Sequence, residues 1–196
     1  MKDDMVIVEL SSFLSQYKDE ILIQADKAYK LVTISNKGVI SLREEKKGVN
    51  IKADKAYRVH GGSFIYSRLA VHTGAFGLIP KELSGAVVTN EMPVFKINND
   101  VILSNYLIYL FRQKTFLNIL YQLTKGMGRV RIKEEIFLKQ RVAIHKSICN
   151  QRKIIDSIDS KFENIKKLNL TYLEQIEYIK KIRQSVFQEA VEGKFT

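Results

Sequence analysis

Gln151–Glu192, QRKIIDSIDSKFENIKKLNLTYLEQIEYIKKIRQSVFQEAVE, contains neither proline nor glycine. Its apolar residues return in steps of three and four: Ile155, Ile158, Phe162, Ile165 and Leu168. After a slip near Asn169–Thr171 they resume at Tyr172 or Leu173, then Ile176, Ile179, Ile182, Val186 and Ala190. Such steps make the seam of a coiled coil, and the slip is a stutter or a break in it. A helix of roughly 42 residues is about 63 Å long at 1.5 Å per residue. A small globular domain cannot cover that length, so the narrow stripe needs a second helix, from the same or another chain. Charge over 154–196 is balanced, seven basic against seven acidic. The segment reads as a partner-binding rod.

What precedes it has another texture. From Tyr29 onward, YKLVTIS, GVISLRE, AYRVHGGSFIYSRL, GAFGLIP and GAVVTN are short and rich in β-branched and aromatic residues, with glycines between them. That pattern predicts an irregular sheet of short strands. In GAFGLIP the glycines serve tight turns, and Phe76 and Leu78 pack. Leu10–Ile23 is expected to form a short amphipathic helix, because Leu10, Phe13, Leu14 and Tyr17 share helical spacing. Residues 103–123 return to that spacing, with Ser104 as N-cap and Leu107, Leu110, Phe111, Leu117 and Leu120 on the buried face. The fold class is therefore α+β. An irregular small-strand domain with flanking helices, residues 1–148, precedes a long coiled-coil helix, residues 149–196.

The chain has 196 residues and a net charge of +11. The excess sits in two places: residues 28–98 carry 11 basic and 5 acidic side chains, and residues 125–153 carry 9 and 2. Clustered cations gain affinity for a polyanion by releasing its condensed counterions, so nucleic acid is the expected partner. The single cysteine, Cys149, excludes an internal disulfide and a multi-cysteine zinc site, and is expected to be buried. No secretory leader and no run of about 20 apolar residues is visible, so a soluble cytoplasmic protein is expected.

The basic run TKGMGRVRIKEEIFLKQRVAIH, Thr124–His145, decides between an enzyme's phosphate cradle and a nucleic-acid edge. GMGR begins like a dinucleotide fingerprint, but Arg131 stands where the third glycine belongs, and no P-loop is present. What remains is Lys125, Arg129, Arg131 and Lys133 around a turn, ahead of a helix start near Lys133–Phe137. In an extended segment Val130 and Ile132 point inward and the bases outward, a row suited to phosphates or base edges. A solvated basic turn is the alternative. His60, His72 and His145 lack ligand spacing, so no metal site is expected. Pro80 is followed by Lys81 and Pro93 by Val94, which removes a PD-type nuclease motif. TNEMPVF is not an amino-methyltransferase tetrad. Ser63, Ser67 and Ser84 lack a nucleophile-elbow context. No catalytic machinery emerges.

The order of the segments carries a resemblance. YKLVTIS, GVISLR, IKADKAYRV, GSFIYSR, GAFGLIPKELSG and VTNEMPVF, closed by GMGRVRIKEEIFLKQRVAI and followed by NQRKIIDSID and IKKIRQSVFQEAVEGKFT, resemble the target-recognition domain and conserved helix of type I restriction–modification specificity subunits. The likeness spans about residues 10–196. Where that family has a proline-rich entry to the helix, this chain has AIHKSICNQ and keeps only the final Gln151.

The resemblance implies a non-catalytic, sequence-reading subunit. A full-length family member has two recognition domains, each reading half of a bipartite DNA site, and two helices that act as a spacer. This chain looks like a half-size form. Two copies pairing through 151–192, along Ile155, Ile158, Phe162, Ile165, Ile176, Ile179 and Val186, would make a homodimer reading an inverted repeat. The resemblance further implies double-stranded DNA, a methyltransferase subunit and a restriction or motor subunit as partners. S-adenosylmethionine, ATP and Mg are expected only on those partners. Candidate DNA contacts are Lys37, Arg43, Ser67, Arg68 and Thr73 in the strand region, with Lys125, Arg129, Arg131 and Lys133 at the closing turn. An internal ion pair is the alternative for Arg68. Other readings stay open: a fragment of a two-domain subunit or of a fused restriction–methylation enzyme, a coiled-coil interaction protein binding another polyanion, and an enzyme with an unrecognised site.

Overall fold

The computed structural model describes residues 4–125 and 131–193. The chain divides into two compact units, Met1–Arg152 and Lys153–Thr196. Among the described residues, the strands all lie in the first unit. Short, β-branched and aromatic segments separated by glycine turns become β1 (Met5–Glu9), β2 (Leu14–Tyr17), β3 (Glu20–Leu22), β4 (Ala28–Ile34), β5 (Ile40–Lys47) and β6 (Lys55–Arg58). They continue as β7 (Phe64–Tyr66), β8 (Phe76–Leu78), β9 (Val87–Val88), β10 (Val94–Ile97) and β11 (Arg141–His145). The helices are α1 (Ser104–Phe111), α2 (Lys114–Gln122), α3 (Glu134–Leu138) and α4 (Ile148–Val191). The fold is α+β, as expected.

Among the described residues three sheets form, ordered β1-β11, β2-β10-β7-β8 and β3-β6-β9-β4-β5. The four-stranded sheet is the wall on which the rest is built. Residues 64, 65 and 66 of β7 are all fully buried. Successive side chains on a strand face opposite ways. Phe64 and Tyr66 therefore enter one layer and Ile65 the other. β10 continues both layers, since Val94 is paired with Ile65 and Phe95 with Phe64. On one side lies an aromatic cluster, where Phe64 stacks on Phe137 at 6.0 Å and meets Phe111 edge-on at 5.5 Å. On the other side Ile65 and Val94 join Val32, Ile40, Val59, Ile79, Ala86 and Val88. Each well-oriented aromatic pair adds about 0.5–1.5 kcal/mol beyond its buried area.

Several expectations need correction. Leu10–Ile23 is not a helix. Leu10–Ser12 forms one 3-10 turn and the chain then enters β2 and β3. The spacing of Leu10, Phe13 and Leu14 does reflect burial, for all three are in the core. But Leu14–Tyr17 finds a ready ladder in β10, and Glu20–Leu22 another in β6. Such pairing outweighs weak local helix preference. Residues 103–123 are not one helix either: they break at Arg112–Gln113, and the break brings Phe111 and Phe116 into a stack at 4.3 Å. Leu107, Phe111 and Leu120 are buried, joined by Tyr106 and Phe116, whereas Leu110 and Leu117 are half-buried. Ser104 is the first helical residue, and Leu103 occupies the cap.

Glycine is required where the 35–38 turn meets β8. Gly38 has φ +72°, and a Cβ there would sit 2.5 Å from the Phe76 carbonyl oxygen. Gly74, with φ +100°, presses its backbone against the Asn36 carbonyl in the same way. Phe76 is buried and Leu78 half-buried.

The first turn of α4 is built into the first unit. The Asn150 amide N–H donates to Ser147 Oγ, which caps the helix, and Asp4 accepts from the Asn150 side chain at 2.8 Å. Gln151 is fully buried. Its Oε1 accepts from the Leu103 N–H at 2.8 Å, and its Nε2 donates to the carbonyls of Val101 and His145 at 2.9 and 2.8 Å. Gln151 thus satisfies three backbone groups at once. Cys149, expected to be buried, is exposed, because it follows the cap on the outer side of this turn. No helix of the described residues is long and apolar enough to cross a membrane.

Candidate nucleic-acid interface

The described end of the closing turn, residues 131–133, is held by β7 and the chain that leaves it. Ile132 is buried, as the alternation predicted for its side chain, and Arg131 and Lys133 on either side are exposed. The Ile132 N–H donates to the Arg68 carbonyl at 2.9 Å, and its own carbonyl accepts from Tyr66 Oη at 3.0 Å. Burial pushes the Tyr66 hydroxyl far above its ordinary pKa, so it stays a proton donor to that carbonyl.

Arg68 and Glu134 lock the same junction. The Arg68 Nε and Nη2 donate to the two Glu134 oxygens at 2.9 and 2.6 Å, and Gln16 Nε2 donates to Oε1 at 2.8 Å. Burial acts to raise the Glu134 carboxyl, but the Arg68 hydrogen bonds and charge outweigh it and hold the pKa below the ordinary value. Arg68 therefore forms the internal ion pair, its alternative reading. Its backbone N–H donates to the Glu91 carbonyl at 2.9 Å. The Glu91 side chain in turn receives Arg131 Nε at 2.9 and 3.0 Å. Glu91, Glu134, Gln16 and Tyr66 were not singled out from the sequence. The one available signal was the acidic pair Glu134–Glu135 inside a basic run, at the start of α3.

A second group gathers at the turn Ser67–Gly74. The Ala70 and Val71 N–H groups donate to the Ser67 carbonyl, and Thr73 Oγ1 donates to the Ala70 carbonyl. Thr73 is exposed and Ser67 half-buried. The close approach of Gly74 to Asn36 sets Thr73 beside the turn that carries Lys37. On the α2 side, His72 faces Tyr121 at 6.1 Å, and Lys125 Nζ lies 5.8 Å above the Tyr121 ring. Arg112 Nη2 donates to the Lys37 carbonyl at 3.4 Å. Lys37, Thr73 and Lys125 thus share one neighbourhood, linked through the 67–74 turn to Arg68, Arg131 and Lys133. Arg43 is placed differently. Val32 pairs with Leu42 and Leu31 with Glu44, so Arg43 is the extra residue of a β-bulge on β5. Its Nε lies 3.3 Å from Glu44. Arg129 lies outside the described residues.

Next to Glu91 a hollow of about 420 Å³ opens between β6 and the 89–91 loop, lined by Ala53, Lys55, Tyr57, Thr89 and Asn90. Among the described residues no group of three or more His, Cys, Asp or Glu is placed to hold a metal ion.

On α4, Ile155 is buried and Ile158 half-buried. Phe162, Ile165, Ile176, Ile179 and Val186 are 46–63% exposed. A contiguous apolar stripe of this size on a helix marks an interaction surface.

No family model matches the chain. No curated protein matches it. Solved structures do. The HsdS subunit from Thermoanaerobacter tengcongensis superposes with a TM-score of 0.69 at 14% identity, over 84% of this chain and 44% of that one. A chain from a study of complex assembly and conformational transition of the type I R-M system gives 0.72 at 14% identity, over 95% and 49%. The type I restriction-modification S subunit from M. genitalium gives 0.51 at 12% identity, over 85% and 42%. The chain therefore has the fold of these specificity subunits and spans less than half the length of each.

Proposed function

We propose that this chain is a non-catalytic DNA-specificity subunit of a type I restriction–modification system. It reads one half of a bipartite site in double-stranded DNA and docks methyltransferase and restriction subunits. The observation that carries the reading is the fold. Some 84–95% of the chain superposes on 42–49% of solved chains from type I systems, two of them described as HsdS or S subunits. The cations joined through the 67–74 turn support it independently, since the loops that hold them lie at the rim of a rigid sheet.

The chain acts as a homodimer through α4. Its net charge alternates in blocks: basic at 152–153, acidic at 156–163 despite Lys161, basic at 166–167, acidic at 174–177, basic at 180–183 and acidic at 189–192. An antiparallel pair crossing near Leu170–Thr171 sets every block against one of opposite sign, whereas a parallel pair in register sets like against like. The same crossing puts Ile165 opposite Ile176, Leu168 opposite Leu173 and Phe162 opposite Ile179. The slip in the seam falls at the two-fold axis, and flanking charges select orientation in paired helices.

A methylome tests the function. The chain is co-expressed with its neighbouring methyltransferase subunit in a host lacking both, and modified bases are sequenced. A palindromic bipartite motif is the expected result. An asymmetric motif means a second recognition domain comes from elsewhere. Absence of modification from an assembled pair refutes the reading.

A further inference from the structure

Among the described cations of the closing turn, Lys125, Arg131 and Lys133, Arg131 has a carboxylate of its own. Both Glu91 oxygens lie within 3.0 Å of Arg131 Nε, yet the arginine side chain remains 53% exposed. A guanidinium has five N–H donors in a planar fork. Glu91 takes only the Nε edge, and the two terminal amino groups have no partner among the described residues. Both ends of the side chain are tethered. On the backbone side, the next residue, Ile132, is anchored through both its N–H and its carbonyl. At the carboxylate side, Glu91 is held by the Arg68 N–H, and Arg68 by Glu134.

This arrangement is poorly suited to a phosphate. A carboxylate beside the cation repels a second anion and cancels much of the charge that draws the backbone in. Nor does a flexible phosphate contact need an oriented fork. The pair suits a neutral target with two acceptors side by side, for which direction matters more than net charge. In the major groove that target is guanine, whose O6 and N7 accept the two N–H groups of one arginine. Lys37, Lys125 and Lys133 have no carboxylate partner among the described residues, as phosphate contacts require. Arg43 and Arg58 pair with Glu44 and Asp19 at 3.3 and 3.7 Å, outside the close side-on geometry of Arg131. Arg68 has its fork closed on Glu134.

We infer that Arg131 is a specificity-determining residue that reads a guanine with its terminal amino groups, and that Glu91 is the positioning residue that aims it. The inference rests on the DNA-reading function proposed above. It assigns one base of the half-site to one side chain and makes an acidic residue part of a basic surface's recognition chemistry.

The test uses the full chain and a pool of randomised duplex DNA, with rounds of selection followed by sequencing. Wild type is expected to enrich a motif. R131A and R131K are each expected to lose the preference for one G·C pair, by about 10- to 100-fold for a bidentate contact, and to keep the other positions. R131K retains the charge and the fold but not the fork. E91A is expected to weaken the same single position while non-specific affinity holds or rises. K133A, by contrast, should weaken all sequences alike and reduce the salt slope of log K by about one. If R131K and R131A enrich the wild-type motif unchanged, or R131A behaves as K133A does, Arg131 is not a base reader and the inference is overturned. If wild type enriches no motif at all, the failure lies with the proposed function, and the inference falls with it.

Discussion

Gln151 offers the sharpest test of how α4 is rooted. Replacing it by methionine keeps the length and the apolar stem but removes every hydrogen-bonding atom. Three backbone groups then lose their partner inside the protein: the Leu103 N–H and the Val101 and His145 carbonyls. A buried polar group left unsatisfied costs about 1–3 kcal/mol. The two carbonyls relax more readily than the N–H, so the sum is taken near the low end, about 3–5 kcal/mol. For a chain of this size 1 kcal/mol moves Tm by about 2–4 °C, so Q151M should melt roughly 10 °C lower. Urea and thermal unfolding followed by near-ultraviolet circular dichroism of the tyrosines measures it, since the chain has no tryptophan. Arg152→Met, at the exposed next position, is the control and should stay within about 0.5 kcal/mol of wild type. Q151E should be worse than Q151M at neutral pH, because an anionic oxygen then faces two carbonyls. Part of the loss should return in acid as the carboxyl regains a proton to donate. A Q151M protein as stable as R152M would refute the claim that these three bonds hold the helix root.

Two further outcomes follow from the geometry. Glu134 has its pKa held below the ordinary 4.5 in the folded state, so the unfolded chain binds more protons in the window just below that value. The stability it contributes is full above pH 4.5 and is lost as pH falls through the depressed folded value. The urea midpoint of wild type should therefore drop more steeply below pH 4.5 than that of E134Q, and parallel profiles would remove Glu134 from the account. The antiparallel pairing of α4 is checked by cysteine cross-linking in a Cys149→Ser background. Phe162→Cys and Ile179→Cys chains should cross-link when mixed but not alone, because the two positions lie about 26 Å apart along one helix. Cross-linking of each with itself and not with the other would establish a parallel pair.

Helix α4 was legible because its signal is entirely local: steps of three and four with nothing to interrupt them, read as Gln151–Glu192 and found as Ile148–Val191. The strands YKLVTIS and GAVVTN were legible for the same reason, as glycine and polar turns bracket them. Leu10–Tyr17 was not, since its pairing partner β10 lies some 80 residues away and nothing local announces it. The break at Arg112–Gln113 has a similar cause: the stack of Phe111 on Phe116 favours two short helices over one straight one. At the candidate interface the bases themselves could be picked out by charge. Their acidic partners could not, because Glu91 and Arg131 are 40 residues apart, and Arg68 and Glu134 66. Sequence shows where cations accumulate. It does not show which are tethered to a carboxylate, nor whether the fork is closed, as in Arg68, or partly open, as in Arg131.

The doubly buried wall of β7 and β10 bears on how such a protein changes over time. Both layers of the core meet on these two strands, so substitutions there are penalised from either side. Exposed side chains proposed for recognition, Thr73, Arg131 and Lys133 among them, hang from segments beyond these strands, where their substitution disturbs a few polar contacts and leaves the packing of Val71 and Ile132 alone. Drift should therefore fall on what the chain recognises long before it reaches what holds the chain together. On the proposed function, lineages descended from one ancestor come to read different sites while sharing an almost unaltered sheet.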